Sequence, residues 1–195
     1  MKVGVTALQG DVSEHLEIVE RAMTELSLSG RAVPVRRPEA LEGVDALIIP
    51  GGESTTISRL LVKFGLFDVI TRRAEEGMPL MGTCAGCILL AKEGDEQVKA
   101  TGTRLLGLMD MAVDRNAFGR QRESFEVELK IDGLGPARGV FIRAPAIRRV
   151  WGDCRVLARL QDVIVMARQD HLLALAFHPE LSGRTNIHRM FLELI

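Results

Sequence analysis

The first 92 residues alternate short apolar runs with amphipathic stretches, and most of the runs stop at glycine or a small polar residue. Val3, Val5 and Ala7 begin a run that ends at Gln9-Gly10. Asp11, with Glu14 three residues on, reads as a capping-box helix start. Val12, Leu16, Val19, Met23 and Leu26 then recur at helical spacing, which predicts one buried face closed by Gly30. Residues 32–35 and 44–49 read as strands, the second ending at Pro50-Gly51-Gly52. Ile57, Leu60, Leu61 and Phe64 mark a second helical face, followed by helix over 67–76, strand over 79–83 and helix over 85–92. Successive strands joined by crossover helices run parallel, so this rhythm predicts an α/β sheet covered on both faces.

The rhythm changes after residue 92. Residues 93–103 are polar and read as a loop. Phe125, Val127, Leu129 and Ile131 alternate with Glu126, Glu128 and Lys130, the pattern of a half-exposed strand. Residues 140–142, 156–160, 163–167 and 172–177 are further strands, some antiparallel because their connections are too short for crossover helices. Ile187, Met190, Phe191 and Leu194 give a last helical face. The 195 residues are enough for one core, so a single domain over 1–195 is expected.

Composition excludes several function classes. A content of 47% hydrophobic and 26% charged residues is that of a globular protein and not of a disordered chain. The net charge of -1 lacks the basic excess of a nucleic-acid binder. The longest apolar run, from Leu172 to Phe177, is far too short to cross a membrane. No secretory signal is visible, and three cysteines make no disulfide framework, so a cytoplasmic location is expected.

Three segments carry candidate chemistry. In Gly82-Thr83-Cys84-Ala85-Gly86 a buried strand turns into a helix with cysteine at the apex, the cysteine counterpart of a nucleophile elbow. Gly82 and Gly86 leave room for close approach of turn and substrate, and the helix N-terminus favours a thiolate. Taken alone, the segment equally suits a packed cysteine. His178 follows an apolar strand, and Glu180 two residues on can fix its tautomer if the link is extended. His15, His171 and His188 lack such a partner and read as surface residues. In Pro50-Gly51-Gly52-Glu53-Ser54-Thr55-Thr56, a glycine pair at the carboxyl end of a strand offers N–H groups for an oxyanion, with Ser54 or Thr55 as helix cap. Cys84 and Cys87 also form a Cys-x-x-Cys pair, but one placed after the fourth strand rather than an early one. No histidine or cysteine spacing suits zinc, and no metal is expected.

Together these segments resemble triad-type glutamine amidotransferases, and within them the glutaminase subunits of pyridoxal phosphate synthases. The resemblance extends to Leu8-Gln9-Gly10, Arg115-Asn116-Ala117-Phe118-Gly119-Arg120-Gln121, Ser124-Phe125-Glu126, Gly139-Val140-Phe141-Ile142-Arg143-Ala144-Pro145 and Phe177-His178-Pro179-Glu180-Leu181. It covers nearly the whole chain; Cys87 departs from it, standing where an aliphatic or small residue is expected. It implies a flavodoxin-like three-layer α/β/α sandwich with a mixed, mostly parallel sheet. It implies that Cys84, His178 and Glu180 hydrolyse L-glutamine, with backbone N–H groups of Gly52 and Ala85 meeting the oxyanion. It places substrate binding on Gly52, Glu53, Ser54, Arg115, Ile142 and Arg143. The ammonia would go to a separate synthase subunit, with pyridoxal phosphate as that pathway's product and no cofactor on this chain. Gln9 and Gly10, on the same sheet edge as Gly51-Gly52, are the expected switch by which that partner sets the oxyanion donor.

Three rivals remain at this stage: a glutaminase serving another synthase, a thiol oxidoreductase using Cys84 and Cys87, and a flavodoxin-like binding module. Glutamate release separates them. An oxidoreductase needs both cysteines and neither His178 nor Glu180, and a binding module survives loss of all four.

Overall fold

The computed structural model describes residues 1–115 and 124–195. The 116–121 part of the arginine-containing motif lies outside the described residues. Strands β1 (Lys2–Thr6), β2 (Arg31–Val35), β3 (Ala46–Ile49), β4 (Leu80–Thr83) and β12 (Leu172–Leu175) form the parallel half of a sheet in the order β2-β1-β3-β4-β12. The other half runs on through β11 (Val163–Gln169), β9 (Ala146–Val150), β6 (Met109–Asp114) and β5 (Ala91–Gly94), with β10 (Arg155–Leu160) paired to β11. The β10–β11, β11–β12, β11–β9 and β9–β6 pairs are antiparallel. Strands β7 (Ser124–Ile131) and β8 (Gly135–Ile142) form a separate hairpin in which Phe125 faces Phe141, their rings stacked at 4.8 Å.

Side-chain alternation along the strands builds two cores, one on each face of the sheet. In β3, Leu47 and Ile49 join the core formed with α2 (Pro38–Glu42), α3 (Ser54–Lys63), α4 (Leu66–Glu75) and α5 (Ala85–Leu90). Ala46 and Ile48 face the core formed with α1 (Val12–Glu25), α7 (Asn186–Leu192) and the hairpin. The result is a three-layer α/β/α sandwich of flavodoxin type, with the hairpin laid on one face.

Several details differ from the sequence reading. The helix expected over 85–92 ends at Leu90, and the chain passes directly into β5 because pairing with β6 claims residues 91–94. The polar segment 93–103 is not a plain loop. It holds α6 (Glu96–Ala100), capped by Asp95, whose carboxylate accepts the Val98 N–H at 2.9 Å. Asp11 does precede α1, but its side chain makes no cap hydrogen bond. In α1 the buried positions are His15, Ile18, Val19, Ala22 and Met23, while Val12, Leu16 and Leu26 are only partly covered.

Gly82 and Gly86 are required by the close packing of α5 on β3 and β4. A Cβ on Gly86 would lie 2.1 Å from the Ile49 carbonyl oxygen, and one on Gly82 would lie 2.6 Å from the Gly86 backbone. Gly86→Ala is therefore expected to destabilise the fold by about 1–3 kcal/mol, since overpacking against backbone is not relieved by rotamer change. A lower urea midpoint at unchanged m-value would register it; an unchanged midpoint would refute it.

Candidate active site

The carboxyl ends of β1, β3, β4 and β12 share one edge because these strands are parallel and adjacent. The strand order reverses between β2 and β3, around β1, and the crevice at such a point is where open α/β sheets take ligands. The turn after β1 brings Gln9 to this crevice, the turn after β3 brings Gly52, Glu53 and Ser54, and the elbow after β4 brings Cys84 and Ala85. His178 arrives after β12, Ile142 and Arg143 at the end of β8, and Arg115 just beyond β6. They line one cleft of about 320 Å³.

Cys84 sits at φ 48, ψ -100, a backbone conformation that costs a non-glycine residue on the order of 1–3 kcal/mol. Its N–H bonds the Leu175 carbonyl at 2.8 Å, and its own carbonyl accepts from Ile88 at 3.3 Å, so the elbow is held from both sides. Ala85 opens α5, so its N–H has no intrahelical acceptor.

His178 is buried and lines the same cleft as Cys84, near enough for the thiol to favour its charged form. Its Nδ1 lies 2.7 Å from Glu180 Oε1 and 3.2 Å from Asp11 Oδ2. The link to Glu180 is not extended as expected. Pro179–Leu181 forms a 3-10 turn, and this turn folds Glu180 back under the imidazole. Burial alone would lower the His178 pKa, but the bonds to Asp11, Cys84 and Glu180 outweigh it and raise it far above the usual imidazole value. Burial raises the Glu180 carboxyl against the pull of His178. Asp11, His178 and Glu180 place ligand-type atoms within 4.8 Å of one another, and a proton on His178 Nδ1 facing both carboxylates accounts for that clustering.

Glycine is required at position 51 by this packing. A Cβ there would lie 2.3 Å from His178 Cε1 and 2.9 Å from Asp11 Oδ2.

Glu53, and not Ser54 or Thr55, caps α3. Its carboxylate accepts from Thr55 N at 3.1 Å and Thr56 N at 2.7 Å. Desolvation opposes its ionisation, but these bonds, with the Thr56 hydroxyl, hold its pKa at about 2. Glu53 also pairs with the Arg115 guanidinium, which donates to Thr55 Oγ1 at 3.1 Å. The segment after β5 fixes this arginine. Asp95 Oδ2 accepts the Arg115 N–H at 2.8 Å, and Thr103 Oγ1 lies 2.9 Å from Thr55 Oγ1. Arg143, just past the end of β8, takes a positive φ of 43 and lines the cleft.

The family model for the SNO glutamine amidotransferases matches residues 5–195. The chain belongs to the SNO glutamine amidotransferase family. Among similar members, the pyridoxal 5'-phosphate synthase subunit PdxT of Archaeoglobus fulgidus is 55% identical over 194 residues, covering 100% of this chain and 98% of its own. The subunit of the same name from Methanosarcina barkeri is 50% identical over 196 residues, again with 100% and 98% coverage. A crystal structure of a glutamine amidotransferase superposes with a TM-score of 0.88 at 51% identity, covering 98% of this chain and 97% of that one. A PurLQS structure from Thermotoga maritima shares the fold, with a TM-score of 0.65 at 17% identity and coverage of 99% and 96%.

The elbow cysteine, Cys84, lines the cleft, whereas the other two thiols do not. Cys87 is fully buried, and burial pushes its thiol far above the usual range. Cys154 is buried too and pushed up to about 11, by desolvation and then by Asp110. A resolving cysteine needs access and thiolate character, and Cys87 has neither. Cys87→Ala is expected to retain at least about half of the activity in reducing buffer, since it removes one small buried group. A glutamate-release rate as low as that of Cys84→Ala would overturn this.

The histidines expected at the surface are not there. His15 and His188 are completely buried, and His171 is partly buried with Nε2 2.8 Å from the Ala74 carbonyl. His15 Nε2 lies 3.3 Å from Glu180 Oε2 and 3.1 Å from Thr83 Oγ1. Sequence reading also missed Asp11 as a neighbour of His178. The available signal was spacing: Asp11 and His15 are one helical turn apart, on the side of α1 that carries Ile18, Val19 and Ala22.

Proposed function

We propose that this chain, acting as one unit over 1–195, is the glutaminase subunit of a pyridoxal phosphate synthase. It hydrolyses L-glutamine to L-glutamate and ammonia and passes the ammonia to the synthase subunit. The observation that carries the reading is the strained Cys84 elbow sharing one cleft with His178, itself bonded to Glu180, together with two arginines and an anionic Glu53. The similar subunits named for pyridoxal 5'-phosphate synthase supply the pathway.

His178 Nδ1 faces the carboxylates, so Nε2 is the nitrogen for the Cys84 proton. The thiolate attacks the side-chain amide carbon of glutamine. The oxyanion meets N–H groups of Ala85 and Gly52. His178 protonates the departing nitrogen, which leaves as ammonia and a γ-glutamyl thioester. Water, deprotonated by His178, cleaves the thioester to glutamate, and the proton returns to the thiol. Glu180 stabilises the imidazolium in each step. Arg115 and Arg143 meet the α-carboxylate, Glu53 meets the α-ammonium, and Gly52, Ser54 and Ile142 line the remaining wall. None of these steps calls on a metal or cofactor; pyridoxal phosphate is the partner's product. Gln9 and Gly10 form the switch that the partner operates.

A thiol nucleophile beside two further free cysteines suits a reducing compartment, and the cytoplasm is the proposed location. Among the described residues no helix is long and apolar enough to cross a membrane, and the charge gives no footing for nucleic acid.

The test is pyridoxal phosphate formation with the synthase subunit, fed glutamine or ammonium salt. Glutamine-dependent synthesis that requires this chain supports the reading. Synthesis that this chain does not stimulate from glutamine, while ammonium sustains it, refutes it.

A further inference from the structure

Behind the triad lies a cluster that the mechanism above does not use. His15, Thr83 and His188 have no solvent access, and the Glu180 side chain has none either. His15 Nδ1 is 3.3 Å from His188 Nε2, and His15 Nε2 faces Thr83 Oγ1 and Glu180 Oε2. Neither histidine lines the cleft. Buried polar groups are costly unless each finds a partner, so this pair calls for an account.

With Glu180 ionised, hydrogen bookkeeping sets the tautomers. An ionised carboxylate only accepts, so the His15 nitrogen beside Glu180 Oε2 must carry the hydrogen. His15 Nδ1 is then the acceptor, and His188 Nε2 must donate to it. His188 Nδ1 is left bare and has no partner. The opposite assignment would leave a buried N–H orphaned and turn a lone pair onto the carboxylate, and buried orphan N–H groups are rare. Donation therefore runs one way, from His188 through His15 towards Thr83 and Glu180. Both imidazoles stay neutral, as burial dictates first: it pushes His15 well below its ordinary value, helped by His188 and His178, and His188 to about 3, helped by Arg21.

We propose that His15 is a positioning residue for the triad: pinned by His188, it turns its Nε2–H on the second oxygen of Glu180 and keeps that carboxylate ionised and aimed at His178. The proposal rests on the triad reading above. Glu180 Oε2 is buried and has no hydrogen-bond partner among the described residues, so the 3.3 Å contact with His15 Nε2 acts on it electrostatically. Burial pushes Glu180 toward its neutral form, the His15 Nε2–H is placed to oppose this from the Oε2 side, and a neutral Glu180 cannot stabilise the imidazolium that forms on His178. Substrate binding is untouched, because the cluster lies behind the cleft.

The experiment measures kcat and KM for glutamine with the synthase subunit present, after thermal melts confirm folding. For His15→Leu, kcat should fall roughly tenfold or more, as the 3.3 Å contact that favours the charged form of a buried carboxylate is lost, with KM held within about twofold. His15→Gln, whose amide N–H can reach the same carboxylate, should recover to within about fivefold of the parent. A folded His15→Leu with parental kcat overturns the proposal, and so does an equal kcat loss in Leu and Gln variants, which marks packing alone. Should His15→Leu fail to fold, His188→Leu decides, since it removes the donor that sets the tautomer and leaves His15 itself in place. A kcat loss beyond about threefold at constant KM then supports the proposal, and parental kcat overturns it. Cys84→Ala, run alongside, separates the two readings. If it stays active the triad itself fails, whereas an inactive Cys84→Ala beside a fully active His15→Leu defeats only the positioning role.

Discussion

Cys84→Ala is expected to lose glutamine hydrolysis by about 10⁴-fold or more, because the nucleophile and its base act as a unit and no other group in the cleft replaces the sulfur. The fold should persist. The strain at this position lies in the backbone, at φ 48 and ψ -100, and alanine bears it as well as cysteine does. Only one sulfur atom is removed, from a residue that is 8% exposed in the cleft wall. Cys84→Gly should be as inactive yet more stable than Cys84→Ala by about 1–2 kcal/mol, since glycine relieves the strained conformation. Synthesis of pyridoxal phosphate by the partner from ammonium salt should continue with either variant. Glutamate release at even a tenth of the parental rate by Cys84→Ala would remove the triad assignment. An unfolding midpoint for Cys84→Gly below that of Cys84→Ala would show that the elbow is not strained.

The parallel half of the sheet and the chemistry at its edge were legible because each rests on local pattern. The apolar runs before Gln9-Gly10, Pro50-Gly51-Gly52 and Cys84 each end where a strand turns, and parallel strands bring those turns together. The less legible parts depend on distant contacts. Residues 88–91 are continuously apolar, a pattern that suits helix and strand alike, and only pairing with β6 ends the helix at Leu90. Asp11 has the residue type and position of a helix cap. Its carboxylate faces His178 instead, a group 167 positions away in sequence (178 - 11). His15 reads as polar surface until the stripe Ile18, Val19, Ala22 and Met23 is seen to enclose it, and its partner His188 comes from the last helix. The threonines of residues 101–103 carry no pattern at all, and their use appears only where Arg115 meets Thr55. The proposed nucleophile and its base are thus written locally, and what holds them is written non-locally.

The isolated chain is expected to be a poor glutaminase that the synthase subunit stimulates by roughly a hundred- to a thousandfold, the worth of one oxyanion donor. Two turns at the cleft interlock in a way that makes such a switch mechanical. Gly10 lies at φ +104, and a Cβ on it would stand 1.7 Å from the Gly51 carbonyl oxygen. That carbonyl accepts the Asp11 N–H at 3.4 Å, a long bond that is easily exchanged. On the other side, Gln9 Oε1 accepts the Glu53 N–H at 2.9 Å, and a Cβ on Gly52 would lie 2.6 Å from the same oxygen. A shift of the Leu8-Gln9-Gly10 turn must therefore carry the Gly51-Gly52 peptide with it. That peptide supplies the N–H proposed for the oxyanion, and its glycines rotate without a Cβ penalty. A partner that seats on the turn and the start of α1 would reset the donor and the His178–Asp11 contact in one movement. The measurement is steady-state glutamate release by the pure chain, titrated with synthase subunit. A high rate that the partner leaves unchanged would refute the switch. Gly10→Ala tests the coupling, since its Cβ forces Gly51 out of place: the complex should still assemble while the stimulated kcat falls at least about tenfold. Full stimulation of Gly10→Ala would leave the partner's effect standing and place its cause elsewhere than in these two turns.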